Sequence, residues 1–158
     1  IIEHKSRANL GLAAIKDKTA ITILRFLLYA VERFGKPIFL RTDNEPVFAS
    51  RLFRFGLRLL GIRQHLIDKG CPWQNGRMER FFGTLKEKLN QIEIDTAEGL
   101  NHALKQFRFW YNHVRTHQHL QGKTPAEVWS GRDVFKQKPK KKYWFEAWEG
   151  GLTGIYLE

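Results

Sequence analysis

Asp43 and Glu79 are separated by 35 residues, and each lies in a segment suited to a carboxylate that holds a metal ion. Asp43 ends the apolar run Ile38-Phe39-Leu40-Arg41-Thr42 and is followed by Asn44. Glu79 follows the Gly/Pro loop Lys69-Gly70-Cys71-Pro72-Trp73-Gln74-Asn75-Gly76, at the expected first turn of a helix. A strand tip and a helix start can bring two such groups together. Mg²⁺ takes hard oxygen ligands in near-octahedral geometry, with one or two carboxylates completed by water and phosphate oxygens. Two ions about 4 Å apart activate an attacking hydroxyl and stabilise the leaving oxygen of an in-line phosphoryl displacement. That chemistry as a rule takes a third carboxylate. Taken singly, Asp43 also reads as a turn cap and Glu79 as a first-turn acid facing the helix dipole; the joint context favours ligation.

On the Glu79 helix, Asn75 at i−4, Gly83 at i+4 and Lys86 at i+7 share its face. A phosphate held at the metals would therefore lie near Lys86. Arg77 and Arg80 point elsewhere on the same helix, where a solvated face and a phosphate contact are the two readings. Trp73, inside the Gly70–Gly76 loop, reads either as a base-stacking group or as an apolar lid. Asn75, Arg77, Arg80, Lys86 and Trp73 are thus the candidate nucleic-acid contacts. His113, His117 and His119 have intervals of four and two beyond a helix end and no cysteine partners. They read as structural or DNA-contacting groups rather than a zinc set.

The elements that must position these residues follow from periodicity. Ala8–Ile15, with Leu10, Leu12 and Ala14 at period two, predicts a strand after a polar turn at His4–Arg7, and Ile1-Ile2-Glu3 reads as the end of an earlier strand. Ile21, Leu24, Leu28, Val31 and Phe34 predict a helix over 19–34 stopped by Gly35 and Pro37. Ile38–Thr42 reads as a buried strand covered on both faces, and Phe48–Leu60 as a helix. Ile62–Ile67 is a further strand candidate. Helices are expected over 76–92 and 96–114, the latter with a capping box at Asp95-Thr96-Ala97-Glu98. Thr124-Pro125-Ala126-Glu127 opens a short last helix. The order implies an α/β fold with a mixed central sheet flanked by helices.

With 27 Lys and Arg against 16 Asp and Glu, the net charge is +11 and the pI about 10.0, which favours a polyanionic partner such as nucleic acid. The single cysteine, Cys71, excludes an internal disulfide and points to the cytoplasm rather than secretion. No run of about 18 apolar residues or signal-peptide pattern occurs, so no membrane partner is expected. Residues 1–135 read as one core, and the lysine-rich, then aromatic, stretch 136–158 as a tail outside it. That tail is a candidate to track a phosphate backbone. The start at Ile1 rather than Met reads as a boundary within a longer protein.

Three segments, Thr42-Asp43-Asn44, Gly70 through Lys86, and Tyr111-Asn112-His113-Val114-Arg115-Thr116-His117, closely resemble bacterial insertion-sequence transposases and their retroviral-integrase-like catalytic core. Leu120–Glu127 resembles the end of the same pattern, so the likeness covers nearly all of residues 1–135. It implies a ribonuclease-H-like fold and DNA strand cleavage and transfer with two Mg²⁺ or Mn²⁺ ions. The implied ligands are an Asp, Asp, Glu triad in which Asp43 matches the second Asp and Glu79 the Glu. The implied partners are DNA, as transposon ends and target, and a second copy of the chain, in a bacterial cytoplasm. Two positions depart from the pattern. Glu45 stands where the family usually has Gly, adding negative charge near the metals. The strand that carries the family's first Asp matches nothing here, so the triad reads as truncated and the chain alone as inactive. The missing Asp would lie about 10 to 15 residues before Glu3, from ordinary strand and loop lengths. Glu3 precedes Ser6-Arg7, the part of the pattern after the second strand, and is not expected to stand in for it. Two other readings share these features: a non-catalytic DNA-binding module derived from a transposase, and a ribonuclease-H-like nuclease that hydrolyses without joining.

Overall fold

The computed structural model describes residues 1–68, 70–132 and 141–158. They form two compact units, one of residues 15–83 and one of residues 1–14 with 84–158. Lys69 and the lysines at 136, 138 and 140 lie outside the described residues.

In the unit of residues 15–83, helix α1 (Ala20–Phe34) starts where the sequence predicts. The Thr19 hydroxyl accepts from the Thr22 N–H, and Asp17 Oδ1 accepts from the Thr19 N–H and from both threonine hydroxyls. Gly35, at φ +90°, ends the helix, a conformation open to glycine at little cost. Strand β1 (Phe39–Thr42) is followed by a single turn, α2 (Pro46–Ala49), and by α3 (Arg51–Leu59), which takes the place of the one helix expected over 48–60. Ser50 caps α3 by accepting from the Phe53 N–H. Phe53 and Leu57 are its buried residues, and a Cβ on Gly56 would lie 2.5 Å from Leu24 of α1, so the two helices meet closely there. Strand β2 (Arg63–Leu66) pairs with β1 in parallel, Phe39 opposite Arg63 and Thr42 opposite Leu66. The expected burial of β1 on both faces fails: Ile38 is 64% and Phe39 57% exposed. Part of the Phe39 ring is instead capped by the Arg63 guanidinium, 4.8 Å from its centroid. A 3₁₀ turn, Pro72–Asn75, leads into α4 (Gly76–Leu89), and the division between the units falls inside α4, after Gly83.

In the other unit the predicted strand over 8–15 is absent. Ile2 and Asn9 form an isolated antiparallel bridge around the turn at 4–7, where Arg7 has φ +65°. The Asn112 side chain substitutes for a pairing strand at Asn9: its Oδ1 accepts from the Asn9 N–H at 2.8 Å and its Nδ2 donates to the Asn9 carbonyl at 2.9 Å. Glu3 locks the turn, Oε1 accepting from the Lys5 N–H and Oε2 from the Ser6 N–H and hydroxyl. Desolvation pushes its pKa up, but the bonds from Ser6 and Lys5 together outweigh that and hold it below the usual value.

Helix α5 (Ala97–Phe109) is capped by Thr96, one residue later than expected. Its hydroxyl accepts from Gly99, which holds the N3 place a returning glutamate would need. The helix widens into a π-turn at Trp110–Val114, and α6 (Pro125–Ser130) has the predicted Thr124/Glu127 capping box. From Lys142 the chain forms a hairpin that the sequence reading did not include, β3 (Lys142–Ala147) antiparallel to β4 (Leu152–Leu157). Its side chains alternate between exposed and covered, and Leu152 is fully buried. Phe107, Trp110, Tyr111 and Val114 supply the core of this unit, with Trp110 Nε1 donating to the Thr153 carbonyl and Trp148 Nε1 to Gln106 Oε1. The fold is thus α/β, but among the described residues the strands form a parallel pair and an antiparallel pair rather than one mixed central sheet. No helix of the described residues is long and apolar enough to cross a membrane.

Two expectations follow. Gly154 has φ +148°, and a Cβ there would lie 2.4 Å from Val114 Cγ1. Gly154→Ala should lower stability by about 1–3 kcal/mol in urea unfolding, with part of the loss recovered in Val114→Ala/Gly154→Ala. His117 is buried, and burial, followed by Arg115, His119 and Arg7, lowers its pKa from 6.5 to about 4. The unfolded chain therefore binds the proton more tightly between those values, and stability should fall as pH drops from about 6.5 towards 4. His117→Gln should flatten that part of a stability-against-pH curve; an unchanged slope would contradict the assignment.

Candidate functional site

Because β1 and β2 run parallel in register, their carboxyl ends share one edge of the pair, the edge at which open α/β sheets place their sites. Asp43 is the first residue after β1, and Glu79 lies in the first turn of α4, the helix that follows β2. Three side chains fix the edge. Asn44 Nδ2 donates to the Ile67 carbonyl at 2.6 Å, tying the segment after β1 to the segment after β2. Gln64 Nε2 donates to Thr42 Oγ1 at 3.0 Å and to the Phe48 carbonyl at 2.9 Å, so it holds the end of β1 and the turn beyond it. Gln74 closes the loop towards α4: its Oε1 accepts from the Asp68 N–H at 3.0 Å and its Nε2 donates to Asp68 Oδ2 at 2.8 Å.

Asp43 Oδ1 accepts from the Glu45 N–H at 3.1 Å. The turn-capping reading of Asp43 is therefore realised, and it orients the carboxylate without exhausting its acceptor capacity. Glu45, expected to load the site with negative charge, forms an ion pair with Lys18. Both partners are substantially exposed, so the pair contributes little stability, yet it offsets the charge of Glu45. Glu79 is exposed at the start of α4. Trp73 is 72% exposed on the 3₁₀ turn, so it is not a lid over a core. Asn75 precedes α4, and Arg77 and Arg80 lie in its first turns. Lys86, on α4 beyond Gly83, is exposed and belongs to the other unit.

Among the described residues no group of three or more His, Cys, Asp or Glu side chains is gathered to hold a metal ion. Of the histidines, His117 packs edge-on against Tyr111, and His113 stacks on Phe109. The donor chemistry of Asp43 and Glu79, two hard-oxygen carboxylates, fits what Mg²⁺ or Mn²⁺ takes from a protein. Asn44, Gln64 and Gln74, which place the edge, had no assigned role in the sequence. Their signal was an amide next to each acid segment, Asn44 after Asp43 and Gln74 six residues after Asp68.

Residues 60–125 match the family described as Integrase core domain. The chain is 28% identical over 128 residues to an uncharacterised 39.2 kDa protein of insertion element IS476 from Xanthomonas euvesicatoria, spanning 80% of this chain and 37% of that protein. It is 32% identical over 92 residues to the transposase for insertion sequence element IS904 of Lactococcus lactis, spanning 57% of this chain and 36% of the transposase. The chain thus matches little more than a third of the length of these relatives. Its fold is shared with the HTLV-2 integrase catalytic core domain, solved as a dimeric form in complex with magnesium, at a TM-score of 0.64 and 22% identity over 81% of this chain and 80% of that one. The match over residues 60–125 includes the Glu79 segment, the curated relatives include an insertion-sequence transposase, and the fold is that of an integrase catalytic core, in line with the resemblance read from the sequence.

Proposed function

We propose that this chain is the catalytic-core portion of a DNA transposase or integrase, with the hairpin over 142–157 packed into the aromatic core of its unit rather than standing outside it as a tail. The observation that carries the reading is the placing of Asp43 and Glu79 after adjacent parallel strands, within or beside a segment that matches the integrase core domain. Asp43 and Glu79 would hold Mg²⁺ or Mn²⁺, and the ions when bound supply activation of the attacking oxygen and stabilisation of the leaving one. Asn44, through Ile67, ties the Asp43 segment to the chain that leads from β2 towards Glu79. Trp73 and Asn75, at the loop before α4, face bases or sugar, and Arg77, Arg80 and Lys86 take phosphates. The full site has a third carboxylate and two ions, and it works on transposon ends and target DNA as a dimer. By the same reading these 158 residues alone cleave DNA weakly or not at all.

The reading is tested on the full-length protein with a labelled donor end. Glu79→Gln and Asp43→Asn should each lower Mn²⁺-dependent cleavage by at least about 10²-fold, while gel-shift affinity for the same DNA stays within about threefold. Cleavage retained by either variant would overturn the assignment. A pre-cut end separates the readings: joined product marks a transferase, and hydrolysed product alone marks a nuclease. Asn44→Ala, which removes the bond to Ile67, should cost about 1 kcal/mol of stability in urea and reduce cleavage more than it reduces DNA binding.

A further inference from the structure

The hairpin of β3 and β4 has one edge turned to its own unit and one left open. On β4 the Thr153 carbonyl accepts from Trp110 Nε1. On the other side, β3 has no strand beside it among the described residues. The phase of the ladder is fixed by Lys141 and Glu158, each of whose N–H groups donates to the other's carbonyl. In an antiparallel pair such residues alternate with ones that do not bond across. Tyr143, Phe145 and Ala147 therefore turn their main chain towards β4, and Lys142, Trp144 and Glu146 turn theirs outward. An open edge of this kind is a template for another strand.

The side chains of those three residues stand on the exposed face of the hairpin. Trp144 is 63% exposed and its cross-strand partner Ile155 54%, and Trp144 Nε1 donates to Glu146 Oε2 at 3.2 Å. Charged residues on an edge ordinarily keep other strands away. Their spacing here suits one partner. When a second β3 lies antiparallel with Trp144 opposite Trp144, Lys142 of each copy falls opposite Glu146 of the other, and Tyr143 falls opposite Phe145. Parallel pairing would set Lys142 against Lys142 and Glu146 against Glu146, a like-charge contact at both ends. Sliding the antiparallel copy to the next register in which the outward groups still meet would leave Lys142 or Glu146 unmatched in each chain. DNA fits this edge less well, because phosphates would meet Glu146 and outward carbonyls as well as Lys142. We propose that β3 is a self-pairing edge, through which two copies of the chain join their hairpins into one antiparallel sheet about a dyad at Trp144. The row across its exposed face runs Ile155, Trp144, Trp144, Ile155, an apolar strip flanked on each side by a pair of Lys142 with Glu146.

The surface is small, so the pairing belongs to the weak, transient class, with a dissociation constant of roughly 10–100 µM. It gives the second copy in the proposed function a place to bind and rests on that reading only there. The pairing needs neither DNA nor metal, so each can fail without the other. Sedimentation equilibrium of the 158-residue protein, without DNA or metal, should show self-association across that range. It is run with and without Phe55→Ser, at an exposed apolar position of α3, so that contacts through that helix do not mask the hairpin. Lys142→Glu and Glu146→Lys should each weaken the association at least about tenfold, since each turns both cross-strand pairs into like-charge pairs, with circular dichroism and unfolding midpoint unchanged. The two single variants mixed in equal amounts should associate with each other at near wild-type strength. So should the double variant Lys142→Glu/Glu146→Lys with itself, because both arrangements restore opposite charges across the dyad. A chain that stays monomeric, an association indifferent to the charge changes, or a weakening that neither the mixture nor the double variant recovers would each overturn the proposal.

Discussion

The 2.6 Å hydrogen bond from the Asn44 amide to the Ile67 carbonyl is the contact that holds the segment carrying Asp43 to the segment that leads from β2 towards Glu79. Strands β1 and β2 have four residues each, and a pair that short has little stability of its own in water. Main-chain pairing continues only as far as Ile67, whose N–H donates to the Thr42 carbonyl at 3.0 Å. Past that point the two segments would be free to diverge. Asn44 joins them one step further on, while Gln64 braces the end of β1 from the partner strand and Gln74 folds the loop back on Asp68. The edge is pinned by side-chain amides at and just beyond the last main-chain pair.

The same device recurs at the start of the chain. Asn112 gives Asn9 both hydrogen bonds that a neighbouring strand would give, and that explains why an alternating apolar segment remains a bridge instead of a strand. The arrangement has a cost. The Asn9 side-chain amide is itself buried, and neither its Nδ2 nor its Oδ1 meets a hydrogen-bond partner among the described residues, a penalty of about 1–3 kcal/mol. The dense aromatic core of this unit, where Phe107 stacks on Tyr111 and on Trp148, offsets it.

What could be read from the sequence follows from range. Helix starts are local, so Thr19, with its hydroxyl bonded three residues on, and the Thr124/Glu127 box were visible, as was Gly35 as a stop. Asp43 and Glu79 were visible because each sits in a motif. Pairing is not local. Period two over 8–15 looked like a strand, but nothing in the segment says that Asn112, 103 positions away from Asn9, will take the partner's place. The hairpin over 142–157 had the converse problem. Tyr143, Phe145 and Ala147 alternate correctly, but the lysines before them hid the pattern. Its turn runs through Trp148 and Glu149 at φ +57° and +50°, residue types that carry no turn signal, before the Gly150-Gly151 pair, which does. The amides that fix the carboxyl edge stand near the acid segments in the sequence, but their acceptors could not be read from it, since an asparagine in a loop does not name its acceptor.

The acidic residues at that edge divide by what they touch. Glu45 is taken up by Lys18, and Asp68 by the Gln74 amide and its own backbone turn. Asp43 gives one oxygen to a single backbone N–H, and Glu79 stands exposed at a helix start. A carboxylate has about four lone-pair directions, so the two acids placed by the parallel pair are those that keep donor capacity for an ion. On the proposed reading this division has an electrostatic consequence. A chain of +11 draws in a polyanion, yet two carboxylates at the point of contact would repel its phosphates. A divalent cation held by them would neutralise that charge and remove the repulsion. The same ion that the chemistry needs is then also what allows the DNA to settle against the edge, which makes metal and substrate binding mutually reinforcing at this site.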